Sequence, residues 1–288
     1  CADYTARATV PHFCPKGARH EHLAFFAMTD LHVAMDSDPR ETGFERWGLE
    51  ETTVAVDEAT CGIVSQVLRF DTPEYWLLGV GSDWHHADNL NPSTTKGTPQ
   101  KPATSYPTMV EWGHLLQTRV IDLLRQSAPV VCIPWLGNHD WVTSWHLVNW
   151  LAAKYECIAD VTVETGWRDL VIHEYGRNLL ALRHEPGRKP ADLPQRLASE
   201  YPEAWGRCPY RMIFTGHLHH FKVVETPGAI LAQTPAACPP NAWSVSEGHT
   251  GAMRGTVCYL LQREHGLAAT FLHRRPSLHA EVLESSPN

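Results

Sequence analysis

Five polar clusters in the 288-residue chain share one placement. Each follows a short apolar run that reads as a buried strand. They are Asp30 with His32, Asp83, Asn138 with His139, His184, and His217 with His219. Nitrogen and oxygen donors of these kinds, without sulfur, suit Mn, Fe or Zn. Two ions in a phosphoryl-transfer site, roughly 3.5–4 Å apart, call for several such donors around one shared centre. Taken singly, each cluster is as well read as a capped loop or a surface histidine. Their common position after a strand is what joins them, because ligands of α/β sheets bind at that edge.

In chain order the clusters spell D-x-H (Asp30 to His32), G-x-D (Gly81 to Asp83), G-N-H-D (Gly137 to Asp140), a strand-end His184, and G-H-x-H (Gly216 to His219). This series resembles the calcineurin-like metallophosphoesterase family over residues 22–233. The resemblance implies a four-layer αββα sandwich, two central mixed sheets flanked by helices. It implies two divalent or trivalent ions (Mn, Fe or Zn), one held by Asp30, His32, Asp83 and His219, the other by Asp83, Asn138, His184 and His217. Asp83 would be the bridge, and a bridging hydroxide would attack phosphorus in line. His139 would contact the phosphate and assist the leaving group, a task that suits a side chain titrating near neutral pH. Asp140 would orient His139. His139 has a second reading as support for the metal ligands, Asp88 rivals Asp83, and His173 rivals His184. One departure stands out: Ser82 precedes Asp83 where the family has glycine, which is tolerable if the backbone there keeps a negative φ.

His86 fits the G-D-x-x-H variant of the family's nuclease and diesterase branches and is a candidate substrate contact. So are Trp84, next to Asp83, and Trp243, in the loop 239–246. The segment Thr94 to Gln100 resembles that of phage-encoded members described as similar to DNA repair exonucleases. Against a polymer substrate stand the net charge of −8 and a pI near 6.1, since gripping a nucleic-acid backbone draws on several basic contacts. The expected activity is therefore a metal-dependent phosphodiesterase, with nucleotides or single-stranded nucleic acid among its candidate substrates. A phosphomonoesterase with the same centre is the alternative, and a catalytically silent metal-binding or interaction protein the third reading.

The elements that must position these residues are legible from periodicity. Strands are expected at 22–28, 75–80 and 130–136, and helices at 57–70, 109–124 and 142–155, with Asp57 as the cap of the first. After residue 160 the pattern turns to short strands with one helical stretch between Pro190 and Pro209. A loop spans 88–107, long enough to suggest a lid or binding wall. An irregular arm over 1–21 and a single domain over 22–288 are expected. Eight cysteines without C-x-x-C spacing argue for reduced structural thiols. Apolar runs too short to span a bilayer point to a soluble, cytoplasmic protein.

Overall fold

Leu23, Phe25 and Ala27 leave the first strand on one face, Ala24 and Phe26 on the other, and the two sets enter different cores. That alternation is what a strand between two apolar layers requires. The computed structural model describes residues 21–275, so the expected N-terminal arm lies outside the described residues but for its last position. In chain order the elements are β1 (His22–Ala27), α1 (Pro39–Thr42), α2 (Leu49–Phe70), β2 (Tyr75–Gly81), α3 (Tyr106–Leu124), β3 (Val130–Trp135), α4 (Trp141–Tyr155), β4 (Val161–Val163), β5 (Val171–Tyr175), β6 (Asn178–Leu182), α5 (Leu193–Glu200), α6 (Pro202–Arg207), β7 (Tyr210–Thr215), β8 (Lys222–Thr226), β9 (Ala229–Gln233), α7 (Ala242–Ser246), β10 (Arg254–Gln262) and β11 (Gly266–Arg275).

The strands form two mixed sheets, one ordered β11-β10-β1-β2-β3-β4 and the other β5-β6-β7-β9-β8. Between them lies a core of Phe25, Leu77, Trp135, Leu180, Phe214 and Tyr259, drawn from both sheets. The outer face of the first sheet packs on α2, α3 and α4 through residues such as Ile63, Leu116 and Leu147. The outer face of the second packs on α5 and α6 through Leu197 and Ala204. Helix, sheet, sheet and helix therefore stack as the four layers expected, each burying one apolar face on its neighbour.

Element ends differ from expectation where polar residues are buried. Helix α2 starts at Leu49 and not at Asp57, because its first turns face inward through Thr52, Ala55 and Val56. The Thr52 hydroxyl donates to the Gly48 carbonyl one turn back, as that of Thr60 does to Val56 further along, which lets a threonine occupy an apolar position. Asp57 instead pairs with Arg119 of α3. Helix α3 begins at Tyr106, capped by Ser105 with Pro107 in its first turn, a placement that proline tolerates because no hydrogen-bond partner is lost there. No helix among the described residues is long and apolar enough to cross a membrane.

Candidate metal centre

Strands β1, β2 and β3 run parallel in one sheet, and β6 and β7 run parallel in the other. Their C-terminal ends deliver Asp30 and His32, Asp83, Asn138 and His139, His184, and His217 and His219 to one place. The donor atoms of Asp30, His32 and Asp83 lie within 4.8 Å of one another, as do those of Asp83, His184 and His217. Asp83 belongs to both groups. Asn138 joins the second through Oδ1, 3.1 Å from Nε2 of His184. His219 joins the first, its Nε2 lying 3.3 Å from Oδ1 of Asp30.

The turns that achieve this are strained. Asp30, His32, Ala34, Ser82, Asp83, His217 and His219 all have φ between +49° and +71°, and they are the non-glycine residues with positive φ among those described. L-residues avoid this region, and strain of this kind collects at functional sites. Hydrogen bonds between the loops hold the shape: Asp30 and His32 donate their N–H groups to the carbonyls of Ser82 and Asp83 at 2.9 and 3.0 Å. The His139 N–H donates to Oδ1 of Asp83 at 2.7 Å, and that of His217 to Oδ1 of Asp30 at 3.1 Å.

Asp30 and Asp83 are 0% and 1% exposed. Two carboxylates so close and so buried are costly unless cationic charge is shared between them. In the protein alone, protons on the neighbouring rings meet that demand. Burial works against charge on His184, but Asp83, at 2.9 Å, outweighs it and lifts the histidine to about 9. Burial likewise opposes charge on His219, and Asp30 overrides it. The site therefore concentrates negative potential and lines it with imidazoles and an amide oxygen, a donor set that fits divalent metal ions. Burial instead holds His32 well below its usual value and drops His86 to about 3, so both rings are neutral.

Other expected site residues fall differently. Ser82 adopts a positive φ of 65°, against the negative value under which a serine was expected to fit. Its hydroxyl explains its presence: Oγ lies 2.9 Å from Nδ1 of His184, orienting the ring so that Nε2 faces Asp83. Asp140 does not orient His139. Its Oδ2 accepts from the His85 N–H at 2.9 Å and from Ser144 Oγ at 2.6 Å. His139 is instead held through Nδ1 by the His86 carbonyl at 3.1 Å. Trp84 is a core residue, 2% exposed, whose indole donates to the Gly113 carbonyl, so it cannot touch substrate. His85 is fully buried against Gly113, where a Cβ would collide with the imidazole. Asp88, the rival of Asp83, accepts from Thr143 N–H and Oγ at 2.8 and 2.9 Å and so satisfies the start of α4. His173, the rival of His184, bonds Tyr75 at 2.8 Å on β5, away from the cluster.

A cavity of about 720 Å³ opens over the centre, within the range of sites that enclose small ligands. His86, His139, Trp243 and His249 line it, with Lys96 and Lys101 from the loop 88–105. That loop is tied down by Thr95 Oγ1 on Asp88, by the Thr95 N–H on the Asn138 carbonyl, and by Lys96 on Glu185 at 3.0 Å. Trp243, on α7, is 65% exposed at the cavity's edge.

No family model matches the chain, and no curated protein does. Among solved structures, an archaeal phosphodiesterase overlaps 88% of this chain and 99% of its own, with a TM-score of 0.42 and 11% identity. A Vps29 single mutant from Entamoeba histolytica gives 0.36 and 12% over 88% and 99% of the two chains. A predicted phosphoesterase from Streptococcus pneumoniae gives 0.32 and 11% over 88% and 98%. With overlaps this loose, what the site can do has to be read from its own side chains. It is in the ordered motifs at its strand ends, and in the four layers that carry them, that the chain resembles the calcineurin-like metallophosphoesterases.

Proposed function

We propose that this chain hydrolyses phosphate esters at a two-metal centre and prefers diesters to monoesters. The observation that carries the proposal is the sharing of Asp83 between two groups of donors, each compact enough for one ion. On this reading Asp30, His32, Asp83 and His219 hold one ion and Asp83, Asn138, His184 and His217 the other. When bound, such a pair supplies an activated water near neutral pH and positive charge against the phosphoryl oxygens.

The chain's own groups do the rest. A carbonyl can only accept, so the hydrogen bond to His86 O places a proton on Nδ1 of His139 and leaves Nε2 to serve the leaving oxygen. Once a second proton has been taken up on Nε2, the ring can hand it to the leaving oxygen as the ester bond breaks, an effect worth about 10²–10⁴ in rate. With Nε2 of His32 turned to an ion, its Nδ1–H donates to Nδ1 of His86, 3.4 Å away. The neutral His86 ring then presents Nε2–H to the cavity, as a donor without charge.

That neutrality favours the diester. A monoester carries a second negative charge near neutral pH, and the lysines and the arginine that line the cavity are already paired with carboxylates. Lys96 is paired with Glu185, Lys101 with Asp36 and Glu41, and Arg254 with Glu45. The same pairing removes the basic track that a long polymer needs, so a nucleotide-sized diester fits better than a strand. Rates with a monoester, a diester and single-stranded DNA on one manganese-loaded preparation test this. The diester should be fastest; a faster monoester would establish the phosphatase reading, and inertness toward all three after reconstitution the silent one.

A further inference from the structure

Cys238 lies beside the centre, although its sequence neighbourhood carries no metal-ligand spacing. The segment after β9 runs along the Asp30 turn. Thr29 bridges Ala236, the Ala237 N–H donates to the Thr29 carbonyl at 3.1 Å, and the Cys238 N–H donates to the Asp30 carbonyl at 3.2 Å. Arg254 Nε donates to the Cys238 carbonyl at 2.9 Å. The peptide groups on both sides of the residue are thus pinned, and its side chain is buried, 2% exposed. Sγ and one ring nitrogen each from His32 and His219 lie within 4.8 Å of one another.

A second observation points to an ion at that spot. Nε2 of His32 and Nε2 of His219 face each other at 3.3 Å. Two neighbouring nitrogens about 2.0–2.1 Å from one zinc ion, at angles of roughly 90–120°, are about 2.9–3.6 Å apart. The two rings therefore already stand at the edge length of a zinc coordination shell, with the sulfur alongside. Cys61, Cys132, Cys157, Cys208 and Cys258, the other described cysteines, join no such group.

We propose that Cys238 is a thiolate ligand of the ion held by Asp30, His32, Asp83 and His219, giving that half of the centre a soft donor and a preference for zinc over manganese. This inference rests on the metal centre proposed above. On binding, the thiol proton leaves to solvent as the sulfur–metal bond forms, and no electron is transferred. Thiolate selects zinc where carboxylate, imidazole and amide oxygen discriminate weakly, so the two halves would differ in the ion they retain.

The full chain, stripped of metal and loaded anaerobically with cobalt(II), tests this without any assay of turnover. A sulfur-to-cobalt charge-transfer band in the near ultraviolet is expected, lost in Cys238→Ser while cobalt still binds. X-ray absorption of the zinc-loaded parent should show a sulfur shell at about 2.3 Å, and it decides the matter even if the variant fails to fold. Cobalt bound without the band, a band undiminished in Cys238→Ser, or a zinc shell of nitrogen and oxygen alone would overturn the thiolate while leaving the centre standing. Failure to bind any cobalt would remove the centre itself.

Discussion

Ser82 combines two effects of opposite sign, which substitution can separate. Its positive φ costs a side-chain-bearing residue about 1–2 kcal/mol, and its hydroxyl partners the buried Nδ1 of His184 at 2.9 Å. Ser82→Ala keeps the strain and leaves a buried nitrogen unpaired, a loss of about 1–3 kcal/mol. At roughly 2–4 °C per kcal/mol for a domain of this size, the metal-free Ala variant should melt several degrees lower. Ser82→Gly suffers the same unpaired nitrogen but recovers the left-handed cost, less about 0.5–1 kcal/mol for glycine's freedom in the unfolded chain. It should therefore be more stable than Ser82→Ala by up to about 1.5 kcal/mol and melt correspondingly higher. Metal affinity should respond differently. Removing the partner that orients a metal-bound histidine weakens binding about 10–100-fold, and both variants remove it equally. Thermal unfolding of chelated protein reads the first effect, and competition with a metallochromic indicator the second. A Ser82→Gly protein that holds both ions as tightly as the parent would show that the hydroxyl does not orient His184.

Asp83→Asn should lose both ions and all turnover together, since the shared carboxylate is gone; elemental analysis finding two ions retained at full occupancy would refute its bridging place. His139→Ala should keep its metal content and lose about 10²-fold or more in kcat, and an unchanged rate would end its proposed assistance to the leaving group. In the chelated protein His184, against the cost of burial, is lifted by Asp83 to about 9, and His219 is likewise raised by Asp30 above the ordinary value of 6.5. A raised histidine stabilises fully below its unfolded value and loses that contribution as pH climbs through its folded one. The melting temperature of metal-free protein should thus fall between pH 6.5 and 9, and a flat profile would show that these rings carry no proton between the carboxylates.

The layers and the cluster were legible because each rests on a local pattern. Alternation such as Leu23-Ala24-Phe25-Phe26-Ala27 marks a strand covered on both faces, and a polar residue just past such a run marks the sheet edge where donors gather. What escaped was set by contacts between distant segments. The start of α2 was hidden because Thr52, buried there, looks polar until its hydroxyl turns back on the helix. Trp84 follows Asp83 directly, yet its backbone turns the indole into the core under Gly113. Asp140 follows His139 and serves His85 and Ser144 instead. Cys238 carried no signal at all, because its neighbours in space, His32 and His219, are far away in sequence. The serine before Asp83 did carry a signal: a departure from glycine at a left-handed position asks what the side chain does there.

The strained turns bear on why the centre is built from so many segments. Seven left-handed residues at about 1–2 kcal/mol each amount to a sizeable fraction of the roughly 5–15 kcal/mol by which domains are stable. Such conformations persist only where the surroundings over-determine them, and here the turns determine one another. The Asp30 turn is fixed by carbonyls of the Ser82 turn, the Cys238 N–H is fixed by the Asp30 carbonyl, and the N–H groups of His139 and His217 are spent on Asp83 and Asp30. Each carboxylate thus takes one backbone donor from another loop and keeps its remaining lone pairs turned inward. Relaxing a turn that carries one of these donors would strip a buried carboxylate of its backbone partner, at about 1–3 kcal/mol, a cost at least comparable with the strain it relieves. That mutual dependence is why cations, which reward all the inward lone pairs together, should tighten every loop of the centre in one cooperative step.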